Sequence, residues 1–362
     1  MKDAPVVPPG PAASGADPAP VASGRVHVPH SRPGAGIGVR KRLRYWKRIF
    51  SAYFGSRKSH LTFWHGTPEV NENATPGQVG EYWQRFTVKA DYPGQYDANR
   101  IPMLDYHGHV GLQYNPIAIA QYGLGNYNRW VRDDDPDRKA RFLEAAGWMV
   151  DNLEPNAAGV PVWKHHFDWE YRTPMPSGWY SALSQGQGLS LLVRAHAVTG
   201  DDRYLTAAHD AFHSFLLEME EGGVIHTDAE GVLWFEETIV DPPTHILNGY
   251  LWAAWGIYDY WLHTGSADAE RVWNEAIRTL STELDRFDVG YWSLYDEAGT
   301  WLPNAASSFY HALHVVQLRV TWRLTGLDVF RNRADRWDRF QKSPVRRRLA
   351  WAHKALFKLL FY

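Results

Sequence analysis

Three stretches, AVTGDDRY (197–204), LHTGSADA (262–269) and RLTGLDVF (323–330), decide the fold. Each follows one apolar-periodic run and precedes another, and the pairs Thr199-Gly200, Thr264-Gly265 and Thr325-Gly326 recur 65 and 61 residues apart. The pattern is helix punctuation. Glycine can take the left-handed conformation that ends a helix, and a nearby Asp or Ser can cap the next one. The spacing predicts first helices over 181–199, 246–263 and 307–324, and second helices over 203–218, 267–285 and 327–340. A less regular fourth pair lies earlier, in NPIAIAQYGL (115–124) and DPDRKARFLEAAGWMVDNL (135–153). Here Asp133–Asp135 read as loop and N-cap residues, because no DxDxDG calcium pattern follows.

Short β-like stretches separate the pairs: GVPVWKHHF (159–167), GGVIHTDAEGVLWFEE (222–237) and VGYWSLYDEAGTWL (289–302). The second and third carry turn residues between apolar runs and read as hairpins. A repeating helix–turn–helix–hairpin unit cannot bury its apolar faces alone and must stack on its neighbours. The expected fold is therefore mainly α, an incomplete (α/α) toroid of helical hairpins with short β-hairpins at a cleft. Connections on one rim and the starts of the inner helices would face that cleft.

Composition narrows the chemistry. The 362 residues include no cysteine, which excludes a disulfide scaffold, thiolate-bound zinc, iron–sulfur clusters and a cysteine nucleophile. Eighteen Trp and 19 Tyr suit a cleft that stacks on sugar rings. The net charge of −2 hides segregation: residues 1–58 sum to +9, residues 342–362 to +6, and residues 59–341 to −17. An acidic core of that kind argues against a nucleic-acid partner.

The ends divide the chain further. Residues 1–39 are rich in Pro, Gly, Ala and Ser and are expected to be disordered. A basic, aromatic segment follows at 40–58, then an extension packed on the core at 59–104, the toroid at 105–341, and a basic amphipathic helix at 342–362. In that helix Leu349, Ala352, Leu356 and Leu359/Leu360 share a stripe that avoids Arg347, Lys354 and Lys358. Two such segments suit an anionic membrane surface; the alternative is that they pack on the acidic core or on a second copy of the chain in a homodimer. Neither a signal-type apolar region nor an 18-residue apolar span is present, so a cytoplasmic or peripheral-membrane location is expected.

Several rim stretches resemble the C-terminal helical domain of the D-glucuronyl C5-epimerases of heparan sulfate biosynthesis. They are YNPIAIAQYGLGNY (114–127), GWYSALSQGQGLSLLVRA (178–195), WFEE (234–237), ILNGYLWAAWGIYD (246–259), YWSLYD (291–296) and FYHALHVVQL (309–318). The resemblance spans roughly residues 105–340; the β-rich domain of the animal enzymes has no counterpart in these 362 residues, as in a short form. It implies conversion of D-glucuronate to L-iduronate within an acidic polysaccharide such as heparosan, without a cofactor. By position it makes Glu237, Tyr295 and Tyr310 the catalytic residues, with Glu237 and Tyr310 as the acid/base pair. It places Tyr114, Tyr122, Tyr180, Gln185, Gln187, Asn248 and His311 on the substrate. C5 is acidified only by the adjacent carboxylate, so such a site must stabilise an enolate-like intermediate and hold proton-transfer groups on opposite faces.

Plainer readings stand beside these. Gln185 and Gln187 could bond helix-end backbone, although the flanking glycines suggest close approach by a ligand; Asn248 could be a buried structural amide, and Arg194 reads as the partner of a core acid. His311 and His314, spaced i, i+3, show no third metal ligand, and no metal is expected. Two departures from the family pattern matter: Thr238 stands where a tyrosine is usual, and Ala298 where an arginine is thought to bind the substrate carboxylate. A polysaccharide lyase shares the first step, and a weakened polysaccharide-binding relative is a further alternative. A glycoside hydrolase is disfavoured, because Glu236 and Glu237 are adjacent and point apart on a strand.

Overall fold

A computed structural model describes residues 26–29, 66–106, 108–171, 173–297 and 299–361. The chain enters through a short helix α1 (Thr87–Ala90) and a three-stranded antiparallel sheet of β1 (Gln95–Tyr96), β2 (Pro102–Asp105) and β3 (Leu112–Tyr114). Four helical hairpins follow: α2 (Pro116–Asp133) with α3 (Pro136–Asp151), α4 (Ala182–Thr199) with α5 (Asp202–Phe212), α6 (Leu247–Thr264) with α7 (Ala267–Glu283), and α8 (Ser308–Thr325) with α9 (Asp328–Lys342). A last helix, α10 (Pro344–Phe361), closes the described chain. Antiparallel two-stranded sheets lie between pairs: β4 (Leu153–Pro155) with β5 (Pro161–Trp163), β6 (Trp169–Tyr171) with β7 (Thr173–Met175), β8 (Ile225–Thr227) with β9 (Leu233–Phe235), and β10 (Leu294–Asp296) with β11 (Asn304–Ala305).

The predicted helix ends lie within a residue of the observed ones at all three Thr-Gly pairs, and the geometry shows why. Gly200, Gly265 and Gly326 all sit in the left-handed region, with φ of 69°, 67° and 69°. Each preceding threonine hydroxyl donates to the carbonyl four residues back, at 2.7–2.8 Å. The same oxygen accepts the N–H two residues on, at 3.2 Å. One side chain thus ends a helix and shapes the turn into the next. The second helices finish early in two cases, passing into 3₁₀ turns at His213–Leu216 and Leu284–Phe287.

First helices are inner and second helices outer. Residues 182–195 of α4 and 247–260 of α6 are buried on every side, whereas α5, α7 and α9 bury one face. α2 packs on α4, α4 on α6, and α6 on α8, so the inner helices form an open ring of the expected (α/α) toroid.

What fills the inside of that ring is the extension. All four inner helices grip residues 71–84. Asn128 of α2 accepts from the Tyr82 N–H and donates to the Gln84 carbonyl; Arg194 of α4 donates to the Gly80 carbonyl; Asp259 of α6 accepts from the Trp83 indole; Arg323 of α8 donates to the Asn71 and Ala74 carbonyls. Tyr82, Trp83 and Phe86 belong to the same hydrophobic core as the helices. The expected boundary at 104/105 falls inside β2, whose partner β3 leads into α2, so extension and toroid share one sheet and one core. Part of the tail expected to be disordered is also placed. Val26 donates its N–H to the Glu220 carbonyl, Pro29 accepts from the Asp241 N–H, and Val26 and Val28 pack on the core. The remainder of 1–39, and the basic segment 40–58, lie outside the described residues.

Arg194 and Asp259 form an ion pair at 2.6 Å with neither side chain exposed. Removing one partner strands a buried charge, so Asp259→Leu alone is expected to cost about 3–5 kcal/mol. Combining it with Arg194→Met should recover much of that loss; denaturant midpoints of the three proteins check this.

Candidate active site

Glu237 follows β9, and its neighbour holds it in place. The Glu236 carbonyl accepts the Ala182 N–H at the start of α4, at 2.9 Å. The Glu236 carboxylate accepts the N–H groups of Thr244 and His245, each at 3.1 Å, and pairs with His245 Nδ1 at 2.5 Å. These bonds hold His245 in the left-handed region, φ 46°, unusual for a residue with a side chain. The turn then delivers α6, which begins at Leu247 without a side-chain cap. Glu236 is fully buried and engaged in this bracket; both acids lie past the end of β9, so the turn, rather than the expected strand alternation, separates their surroundings.

The Glu237 carboxylate rests on the first turn of α6. Asn248 Nδ2 donates to its Oε2 at 3.2 Å. A Cβ on Gly249 would lie 2.3 Å from that oxygen, so only glycine admits the carboxylate there. Glu237 stays partly open to solvent but is deep enough that burial pushes its pKa up from 4.5 to about 8. The Asn248 hydrogen bond opposes this, and the nearby charges of Glu236 and Asp296 reinforce it.

Tyr310, in the first turn of α8, is the phenol facing this acid. Burial, aided by the Glu237 charge, raises its pKa further above the ordinary phenol value, so it remains a proton donor at neutral pH. Tyr295 of β10 meets it edge to face, ring centroids 4.6 Å apart. Lys354 of α10 lies over the Tyr295 ring at 5.4 Å and donates to Asn304 Oδ1, while Asn304 donates to Asp296. The structure thus brings together Glu237, Asn248, Tyr295 and Tyr310, from a hairpin end, two inner-helix starts and β10.

The other expected substrate contacts lie elsewhere. Gln185 is fully buried: its oxygen accepts the Trp163 N–H, and its amide donates to Ala211 O and Ser214 Oγ. Gln187 accepts from Gln121 inside the ring. Their glycine neighbours serve helix packing rather than ligand approach: a Cβ on Gly256 would fall 1.9 Å from the Gly186 carbonyl oxygen, and one on Gly188 2.2 Å from the Trp163 ring. His311, expected beside the cleft, turns into the core, because on a helix residue 311 points about 100° away from residue 310. Its Nδ1 accepts the Ser293 N–H, its Nε2 donates to the Trp337 carbonyl, and burial lowers its pKa to about 4. It therefore pins β10 to α8 behind the two tyrosines, and His314 meets the same Ser293 hydroxyl. Tyr114 donates to Asp97 at 2.8 Å, Tyr122 is buried against Tyr96 and Arg141, and Tyr180 is buried just ahead of α4. Thr238 bonds Thr244 across the turn, 5% exposed, so its hydroxyl closes the bracket. Ala298 lies outside the described residues; Glu297 before it pairs with Arg286. The bracketing role of Glu236 has no local sequence signal, because the three groups it accepts from lie eight and nine residues downstream.

Residues 159–339 match the family defined by the D-glucuronyl C5-epimerase C-terminus. An uncharacterized protein of Methanocaldococcus jannaschii is 26% identical over 246 residues, 63% of this chain and 78% of its own. The D-glucuronyl C5-epimerase of Caenorhabditis elegans is 31% identical over 212 residues, 54% of this chain; the match spans only 34% of the nematode protein. Among solved structures, the unsaturated glucuronyl hydrolase of Bacillus sp. GL1 aligns at a TM-score of 0.40 and 17% identity, over 65% of this chain and 61% of the hydrolase. With half its length matched by the epimerase C-terminus, and a nematode epimerase among its relatives, the chain belongs to the D-glucuronyl C5-epimerase family.

Proposed function

We propose that this protein inverts C5 of glucuronate residues within an acidic polysaccharide, with Glu237 as base and Tyr310 as acid. The observation that carries this reading is a half-buried carboxyl, its pKa raised to about 8, set against a tyrosine pair in a family of C5-epimerases. Ionised Glu237 takes the C5 proton, and the C–H electron pair moves into the C6 carboxylate to give an enediolate. The Tyr310 hydroxyl then delivers its proton to the opposite face of C5. No bond of the polymer breaks, and solvent restores both protonation states. Tyr295 assists by fixing the Tyr310 ring, and Asn248 by orienting the Glu237 oxygen.

A lyase would begin with the same abstraction and then expel the C4 substituent. Incubation with heparosan and with simpler glucuronans in deuterated water separates the two: exchange at C5 without chain cleavage supports epimerisation, and an unsaturated uronate indicates a lyase. Glu237→Gln and Tyr310→Phe are each expected to lower exchange at least ~100-fold. Retention of polymer binding but no exchange by the wild-type protein would favour a binding relative.

The raised pKa fixes two pH signs. A base must be ionised, so the exchange rate should rise with pH up to about 8. Stability should move oppositely. Glu237 keeps its proton to about pH 8 when folded but releases it near 4.5 when unfolded, so the folded state binds more protons between those limits. Its contribution to stability therefore falls as pH rises through that window. Glu237→Gln should remove that part of the slope, read from denaturant midpoints at pH 5 and pH 8.5.

Support for a membrane setting comes from α10. The helix docks through Ala350 and Phe357, while Val345, Leu349, Leu356 and Leu359 on another face are 73%, 46%, 47% and 43% exposed. Arg348 is exposed at the edge of that stripe, and Arg347 is exposed across the helix from it. Basic charge flanking exposed leucines fits an anionic lipid surface. Sedimentation with phosphatidylserine-containing vesicles should exceed that with phosphatidylcholine alone, and Leu349→Glu with Leu356→Glu should abolish it. None of the described helices is long and apolar enough to cross a membrane.

A further inference from the structure

The inner helices keep a common register. Gln121, Gln187, Trp252 and Leu313 are each the sixth residue of α2, α4, α6 and α8. At 1.5 Å rise per residue they form one layer, about 6–8 Å below the helix starts that carry Asn248 and Tyr310. Lys89 of α1 enters this layer from the extension. Its ammonium donates to Gln121 Oε1 and lies 4.8 Å from the Phe86 ring centroid and 5.8 Å from that of Trp252. Trp252 stands one turn below Asn248 on the same face of α6, and its indole is held by Gln84 at 2.8 Å.

This layer borders a shallow, solvent-open pocket whose lining includes Lys89, Trp252, Phe309 and Leu313. Phe309 precedes Tyr310 on α8, ring centroids 5.1 Å apart, so the pocket lies on the neighbouring face of the helix that carries the proposed acid. Glu69, also on the lining, is exposed and accepts a long hydrogen bond from Thr87, another lining residue.

We infer that Lys89, at the floor of this pocket, binds the carboxylate of a uronate residue whose ring stacks on Trp252. The assignment rests on the proposed reaction and deepens it, since it supplies a cation for the C6 carboxylate where the family's arginine position holds Ala298. A lysine ammonium between aromatic faces is a strong receptor for an anion brought out of water, because both lose competing hydration together. Burial depresses the Lys89 pKa to about 7, and an incoming carboxylate would restore the charged form. As the carboxylate gathers charge in the enediolate, the same contact strengthens.

The test compares a glucuronate oligosaccharide with its carboxyl-reduced counterpart, using calorimetric binding to the full chain and to Lys89→Met and Lys89→Arg. The wild-type protein should prefer the charged oligosaccharide. Lys89→Met should bind it on the order of 10- to 100-fold more weakly and bind the reduced one unchanged, with Lys89→Arg recovering part of the preference. Melting temperature controls for folding: Lys89→Met removes the donor to buried Gln121 and should lower it modestly, so binding is compared at a temperature where both proteins are folded. A wild-type protein indifferent to the carboxyl, or a folded Lys89→Met that keeps the preference, would overturn the assignment. Preference lost in Lys89→Met but no C5 exchange in the wild type would uphold the carboxylate site and reject the epimerase reading.

Discussion

A guanidinium cannot shed its charge, so a wholly buried arginine forces its surroundings into order around it. Arg194 imposes that constraint here. Asp259 of α6, the Ser190 carbonyl of its own helix and the Gly80 carbonyl of the extension take its hydrogen bonds, and the Tyr82 ring lies 5.3 Å from its charge. A slip of α4 against α6 by one residue would break the pair. It would also drive a Cβ-bearing residue into the crossing that Gly186 and Gly256 now share. The same register aligns the starts of the inner helices, and two of those starts carry Asn248 and Tyr310 of the proposed site. A charge buried about three turns below those helix starts therefore positions them.

At the rim, the sequence Glu236-Glu237 shows two identical side chains made different by their surroundings. Glu236 receives two backbone N–H groups and a histidine nitrogen, so its buried oxygens are satisfied. Glu237 receives one amide donor at 3.2 Å and sits where water is scarce. Environments that push paired acids apart are how one fold assigns a structural role to one and proton transfer to the other. The cost of leaving Glu237 under-solvated is borne by the bracket that its neighbour builds.

The fold was legible because its signals are local. Thr-Gly punctuation acts within four residues on either side, and the helix ends at 199, 264 and 325 follow from it. The proposed catalytic residues Glu237, Tyr295 and Tyr310 were suggested only by family resemblance, since 19 tyrosines offer no local mark of reactivity. Gln185 and Gln187 were misread because a glycine in a helix announces close approach without saying by what; here Ala253 and Trp163 are the visitors. His311 was misread because adjacency in sequence to Tyr310 means divergence on a helix. The filling of the ring by residues 71–84 had no sequence signal at all. Its bonds to Asn128, Arg194, Asp259 and Arg323 span 44 to 252 residues and depend on helices that exist only once the ring is formed.

Charge segregation takes on a structural meaning in this light. Between 59 and 341 the chain carries −17, an adverse field for holding a polyanion. The family-matched residues 159–339 supply Glu237, Tyr295 and Tyr310, while Arg286 is engaged with Glu283 and Glu297. Ammonium groups come instead from the flanks: Lys354 of α10 lies over Tyr295, and Lys89 of the extension, beside Trp252, is the proposed carboxylate receptor. Within one low-dielectric pocket a nearby ammonium outweighs remote surface acids, which water and salt screen beyond roughly 8–10 Å. α10 couples two of these facts, because the helix that presents leucines to solvent also seats Lys354 over Tyr295. Anything that pulls α10 from the body moves a cation and a ring contact out of the cleft together, so the surface that would hold the protein in place and the site that would hold its substrate are one mechanical unit.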